Sequence, residues 1–574
     1  MIVPRALSRR LPSRLTSESL LLGGATLYVA VFCLLPLLRL LAEPLAADTG
    51  GGWQMVVRVL GARATTTAFW NTLEAGLAST LLAVVVGGGL AIVVGLTTVR
   101  ARGLLTFICL IPLLIPAQIA ALAWLELAGP NSPLLRLIGL GVATGQRNPL
   151  YSAGGVIWLL GLEHAPMVFL AARAGLRALP NDLVEAARMA GARGPRIVLT
   201  IVLPLLRPAL LAGAALAFVS AIGNFGVSAL LGIPGRFPML TTLIYRRLNG
   251  FGPDVLAEVA VLAMILAGLA GAGLLLQAWA WGRQNRHAAR DTAALAPLPL
   301  GRWRLLVEGG LWLFLGLTAL MPLAALTGAA LAPALGVATT WDSATLDHFR
   351  AVFANPVMLR ALTNSFTLAT VAGGVGLVVA APLAYFIVTR RAPLARALNY
   401  IADMPYALPG IILSISCILL YLKPLPGLGI GLYNSFWILL VAYLGRFLAL
   451  SLRPAMAGVA QIDPALEEAA RVAGAGPMAR FFAIVLPLAA PAAAAGGLLV
   501  FLAAFNELTV SALLWSAGHE TLGVMVFSLT DEGNSNAAAA VSVIAVLATL
   551  AVALAATVFA RAARLPKGVL PWQD

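Results

Sequence analysis

Four polar residues stand inside otherwise apolar tracts: Glu163, Asn224, Arg446 and Glu507. A charge there is expensive, so it faces the protein interior or a wet path and finds a partner. Glu163 and Arg446 are 283 residues apart, and so are Asn224 and Glu507. That spacing recurs along the chain, so the members of each pair occupy equivalent positions. The expectation is that all four lie along or beside a path between two halves, with Glu163 and Arg446 paired across it as a gate that breaks in one state. The alternative is that each satisfies a local backbone or hydroxyl partner. His164, next to Glu163, reads as a satisfied core histidine.

No catalytic constellation accompanies these groups. HExxH and GxSxG do not occur in the sequence, and neither does the phosphate loop G-x-x-x-x-G-K-[ST]. Cys33, Cys109 and Cys417 lie in separate apolar runs, and the four histidines are scattered. Neither a disulfide framework nor a zinc spacing results. The chain is not read as an enzyme, and no metal site is expected.

A second pattern is stronger. Glu185-Ala186-Ala187-Arg-Met-Ala-Gly191 recurs as Glu468-Ala469-Ala470-Arg-Val-Ala-Gly474. The first stretch runs on to Ile-Val-Leu-Pro204 and the second to Ile-Val-Leu-Pro487, with 11 of 20 positions identical. Glu-Ala-Ala-Arg is a strong helix former with a small-residue face. The glycine then interrupts the helix. A second amphipathic stretch follows, and the proline marks entry into the next apolar run. The alanines let another surface approach closely, and the glutamate offers a carboxylate at its edge.

The elements that position these groups follow from composition. The 574 residues are 60% hydrophobic and only 11% charged, with a mean hydropathy of +0.94. Soluble domains are about 25% charged, so most of this chain faces lipid or other apolar helices. Twelve runs are long enough to cross a bilayer, near 20–42, 68–98, 103–128, 151–175, 205–231, 254–282, 304–334, 361–389, 395–422, 434–458, 488–515 and 536–563. Pro112 and Pro116 in the third run, and Pro405 and Pro409 in the ninth, are candidate helix breaks. Net charge is +15. The basic residues concentrate in the segments that face the cytoplasm if both termini do, which explains the charge without nucleic-acid binding. The first apolar run reads as a retained helix rather than a cleaved signal.

The fold class is therefore all-α and polytopic, with about twelve transmembrane helices in two parallel six-helix repeats. The parts are a basic N-terminus (1–19), a first repeat (20–282), a cytoplasmic linker (283–303), a second repeat (304–563) and a C-terminal tail (564–574). Parallel repeats of this kind place a substrate path at their interface. An ion-coupled secondary transporter would also use such a repeat, but it leaves the two Glu-Ala-Ala loops unexplained.

The pattern Glu-Ala-Ala, three residues, Gly, nine residues, Ile-x-Leu-Pro resembles the signature loop of ABC importer permeases. Two copies in one chain resemble the fused permeases of the ferric-iron, thiamine and aminoethylphosphonate group, over residues 65–563. The resemblance implies that each loop is a coupling helix docked in a cleft of one of two ATPase subunits. Glu185 and Glu468 would meet basic or backbone groups there, Ala186, Ala187, Ala469 and Ala470 would lie on the docking face, and Gly191 and Gly474 would set the bends. It implies no cofactor in this chain, with ATP and magnesium on the partner ATPase. It also implies a substrate-binding protein outside, docked on loops near 43–67 and 335–360, and a bacterial inner membrane around the spans. Phe505–Leu514, Glu520-Thr-Leu-Gly and Asp531-Glu-Gly are most similar to ferric-iron permeases. Thiamine, aminoethylphosphonate and polyamine remain the alternative cargoes.

Overall fold

Backbone amides exposed to lipid must be satisfied within their own segment, so long apolar tracts form helices. The computed structural model describes residues 17–562, apart from 46–51, 285–296, residue 392 and parts of 130–145, 251–253, 336–341 and 425–430. Most of the linker and both chain ends lie outside the described residues. The first half holds α1 (Glu18–Ala42), α2 (Arg63–Leu96), α3 (Arg102–Leu114), α4 (Ala117–Ala128), α5 (Ala153–Arg177), α6 (Asn181–Met189), α7 (Gly194–Gly223), α8 (Leu240–Leu248) and α9 (Val255–Trp279). The second half repeats this order as α10 (Gly301–Ala330), α11 (Pro356–Val388), α12 (Pro393–Ala407), α13 (Gly410–Tyr421), α14 (Phe436–Ala460), α15 (Pro464–Val472), α16 (Pro477–Phe505), α17 (Leu522–Asp531) and α18 (Ser535–Ala562). Ten of these are long and apolar enough to span a membrane, and two bent pairs bring the candidates to twelve. The fold is all-α and polytopic, as expected.

One expectation is met and one needs correction. The third and ninth runs are broken, as their prolines lead one to expect. The α3–α4 pair bends by 103° and the α12–α13 pair by 105°. The break falls at Pro116 and Pro409, which are extended, with ψ of 144° and 134°. Pro112 and Pro405 stay inside α3 and α12. A proline disfavours helical geometry in the residue before it, so the break opens on its N-terminal side. There is, however, no separate second surface helix after Gly191 or Gly474. The spans α7 and α16 begin at once and pass through wide π-helical turns at Val198–Val202 and Phe481–Val485. Pro204 and Pro487 follow two residues later. Proline has no N–H to offer the ladder, and a widened turn absorbs the missing bond. The same device precedes Pro36 in α1 and Pro322 in α10.

In each half, the long helices pack around small residues. The halves meet at the broken pairs. Gly223, at the end of α7, lies so close to Pro409 that a Cβ there would sit 2.9 Å from the ring. Phe225 and Tyr245 of the first half stack near Phe527 of the second, with ring centroids 5.6 and 6.0 Å away. Each half also sends its first helix to the other. From α1, the Tyr28 hydroxyl donates to the Leu444 carbonyl of α14 at 2.9 Å, and Leu35–Ala42 packs on α13. The end of α10, Met321–Ala330, packs on α4.

Candidate functional site

The two loops share one geometry. In α6 the amide of Gly191 donates to the Arg188 carbonyl at 2.9 Å, and that of Ala192 donates to the Ala187 carbonyl at 2.9 Å. In α15 Gly474 donates to Arg471 at 3.1 Å and Ala475 to Ala470 at 2.9 Å. This is a Schellman end, which closes the last carbonyls of a helix and needs a left-handed residue after it. Gly191 and Gly474 supply it, with φ of +78° and +85°. The bend is thus built from the repeated glycine.

Glu185, Glu468, Ala186 and Ala469 are exposed, and Ala187 and Ala470 are half-buried. Beside them Met189 is 90% exposed and Val472 is 88% exposed. Leu183 and Leu466 are also exposed, six residues earlier. Each loop therefore presents an apolar and small-residue stripe with a carboxylate next to it. Sequence reasoning missed the four apolar residues, although their equivalent spacing in both copies is a signal. The Glu185 carboxylate accepts from Asn181 Nδ2 at 2.6 Å. Arg188 Nη2 donates to the Pro297 carbonyl at 3.1 Å, tying the first loop to the end of the linker.

The loops are fixed to the bundle differently. In the first half Val184 and Ile197 are buried in an apolar cluster that Ile92 also joins. The equivalent residues of the second half are Glu467, Arg480 and Tyr385. The Tyr385 hydroxyl donates to Glu467 at 2.9 Å, and Arg480 Nε lies 3.7 Å from the same carboxylate.

The four intramembrane polar residues pair within their own halves. Asn224 Nδ2 donates to both oxygens of Glu163 at 3.1 Å. Arg446 Nε lies 4.0 Å from Glu507, and its Nη1 donates to the Leu408 carbonyl at 3.3 Å. No Glu163–Arg446 ion pair forms among the described residues, so the structure does not bear out that pairing. Its physical reason is local. Asn224 and Glu507 sit where α7 and α16 end, and each caps the turn that follows. Asn224 Oδ1 accepts from Val227 N at 3.0 Å, and Glu507 accepts from Val510 N at 2.8 Å and Ser511 N at 3.2 Å. Arg446 serves the carbonyl that the Pro409 break sets free. His164 holds the Leu160 carbonyl at 2.6 Å and stays a core residue.

Gln118 is the polar residue that joins the halves here. From α4 its side chain donates to the Asn506 carbonyl at 3.1 Å, and Asn506 Nδ2 donates to Thr549 at 2.7 Å. Both side chains are buried. Neither stands at the repeat equivalent of a charged residue, the signal that brought out the uncharged Asn224. Among the described residues no cluster of His, Cys, Asp and Glu could hold a metal ion.

The model of the family described as "Binding-protein-dependent transport system inner membrane component" matches the chain twice, over residues 87–279 and 372–564. A Sinorhizobium fredii protein named "Probable ABC transporter permease protein y4fN" is 28% identical over 554 residues, 95% of each chain. The "Ferric transport system permease protein FbpB" of Actinobacillus pleuropneumoniae is 22% identical over 80% of this chain and 66% of its own length. A Haloferax volcanii protein named as a probable molybdenum ABC transporter permease is 29% identical over 47% of this chain and 93% of its own length.

Proposed function

Because the chain belongs to the family of binding-protein-dependent transport system inner membrane components and carries the family unit twice, we propose that it is the whole membrane unit of an ABC importer. One observation carries the reading: two loops of identical backbone geometry, each exposing an apolar stripe and a carboxylate. Each docks on one ATPase subunit, so one chain serves two copies. ATP and magnesium bind on those subunits, and this chain supplies no cofactor and no catalytic group. Lipid surrounds the exposed leucines and valines of the spans, such as Leu81, Val378 and Leu554. Nucleic acid has no part. Both termini face the cytoplasm of a bacterial inner membrane.

The loops run directly into α7 and α16, so movement of a docked loop moves a span. Closure of the ATPase pair on ATP draws the loops together and opens the outer ends of the two halves. There a substrate-binding protein delivers its cargo. A shift between states needs contacts that differ between them, and the docked loops supply these. Asn224 and Glu507 stand at the ends of α7 and α16, Glu163 and Arg446 meet them from within α5 and α14, and all four lie beside the path. The cargo we assign is ferric iron, supported by the likeness of residues 505–533 to ferric-iron permeases and by the ferric-transport relative.

The test is a pull-down from native membranes with the tagged chain and with the double variant Glu185→Arg, Glu468→Arg. Two ATPase copies per wild-type chain, lost in the variant, are expected. ATP-independent uptake in vesicles, with no ATPase recovered in gentle detergent, would replace this reading with an ion-coupled transporter. ATP-driven uptake of thiamine, aminoethylphosphonate or a polyamine in place of radioiron would replace the cargo alone.

A further inference from the structure

Beside the second loop lies an open cleft of about 600 Å³, between α15 and the ends of α11, α14 and α16. Four arginines line it: Arg390, Arg391, Arg471 and Arg480. Three carboxylates share the wall, but two of them are engaged. Asp463 caps the Ala465 amide at 2.9 Å, and Glu467 receives the Tyr385 hydroxyl. Glu468, the third, is exposed at the rim. Arg390 is paired with Glu18 and lies over the Tyr385 ring.

Arg480 is the informative member. It is only 5% exposed, and its Nε is buried without a hydrogen-bond partner. Its nearest carboxylate, Glu467, is at 3.7 Å, beyond a good hydrogen bond. A buried guanidinium carries five N–H donors and no acceptor, so leaving them unmet is costly. The first half shows what the same place looks like without that chemistry. Its equivalents of Arg390, Arg391, Arg480 and Glu467 are Thr97, Thr98, Ile197 and Val184, and only Arg188 matches. There the linker residue Leu298 is buried in the same apolar cluster as Val184 and Ile197. Its amide donates to the Leu96 carbonyl at 2.7 Å, and its own carbonyl accepts from Thr98 N at 3.2 Å. The second half has an arginine-lined cleft in place of that apolar plug.

We propose that this cleft binds a phosphate-class oxyanion, held by Arg480 from the wall and by Arg391 and Arg471 from the rim. Guanidinium forks match the paired oxygens of a phosphoryl group, and a desolvated setting strengthens such bonds. The anion comes either from solution or from a phospholipid headgroup. Bound there, it braces the second loop and leaves the first untouched, so the two loops differ in stiffness.

Hydrogen exchange of the full chain in nanodiscs tests this, with residues 181–192 as the internal control for 464–475. The probes are inorganic phosphate, with vanadate as a second oxyanion, in phosphatidylcholine nanodiscs, and phosphatidylglycerol nanodiscs without added anion. At ten times the dissociation constant, openings that release the anion slow by about tenfold, and only in the second loop. Protection by the soluble anions identifies a free ligand, and protection by phosphatidylglycerol alone identifies a headgroup. The double variant Glu467→Val, Arg480→Ile carries the first half's residues at these two positions and removes the protection. A fold check on this variant is its unaltered exchange in 181–192. Exchange in 464–475 that ignores both probes overturns the proposal and leaves water as the partner of Arg480. Protection that ignores both probes but vanishes when residues 563–574 are deleted overturns it in favour of a segment of the chain itself.

Discussion

A single left-handed glycine ends each loop helix, and its replacement has a calculable effect. Any residue with a Cβ in that region costs about 1–2 kcal/mol. Gly474→Ala should therefore raise the exchange rate of 464–475 several-fold and lower ATP-driven uptake. Gly474→Asn should do less, because asparagine tolerates left-handed geometry. A second residue-scale prediction concerns the cap at the end of α16. Glu507→Leu strips the acceptor from two buried amides, Val510 and Ser511, and should cost about 2 kcal/mol or more in thermal unfolding in detergent. Glu507→Asn gives the residue that caps the equivalent turn in the first half, so it should cost less than Glu507→Leu, the remaining loss coming from Arg446, which no longer has a carboxylate beside it. The loop residues were legible in the sequence because helix propensity and a turn glycine act over a few neighbours, and both copies carry them. The pairing of Glu163 and Arg446 was not. A repeat spacing says that two positions are equivalent, each within its own half. It does not bring them to the shared axis, and the nearer demand of a helix end decides the partner.

At the scale of elements, the proline breaks and the π-turns share one cause. A missing amide must be absorbed, either by a sharp bend or by a wider turn. Twelve apolar runs could be counted because hydropathy reports burial and length. The prolines marked where the third and ninth runs could break, but not which proline of each pair would do so or that the bends would exceed 100°, since apolar composition is the same in a straight helix and in two limbs. The packing of α1 is tightest at Gly445, where a Cβ would lie 2.2 Å from the Phe32 carbonyl oxygen. Gly445→Val should push α1 away from α14 and cost about 1–3 kcal/mol. A lower melting temperature with normal membrane insertion is the expected reading. Gly89→Val, at a position with nothing within 4 Å of the added Cβ, should leave the melting temperature near wild type.

Across the whole molecule, the halves are held by the exchanged first helices, by the Gln118–Asn506 bond and by the aromatic contacts of Phe527. None of these contacts is made by residues 285–296. Two co-expressed chains, broken within that stretch, should therefore assemble, and a tag on one should recover the other. Either piece alone should fail to accumulate, since each lacks the surface its own first helix covers. The exchange also sets an order of events during synthesis. The ribosome makes α1 before the second half, but the surfaces that bury Val29 and Cys33 belong to α11, α12 and α14. About 400 residues separate the end of α1 from the end of α14, and at 5–20 residues per second that interval is about 20–80 seconds. Throughout it the Val29–Cys33 part of α1 waits for those surfaces, while its end, Leu35–Ala42, can already meet α9 of its own half. Part of α1 thus reaches its native neighbours only once the second half is made, and a delay in translating that half prolongs its exposure.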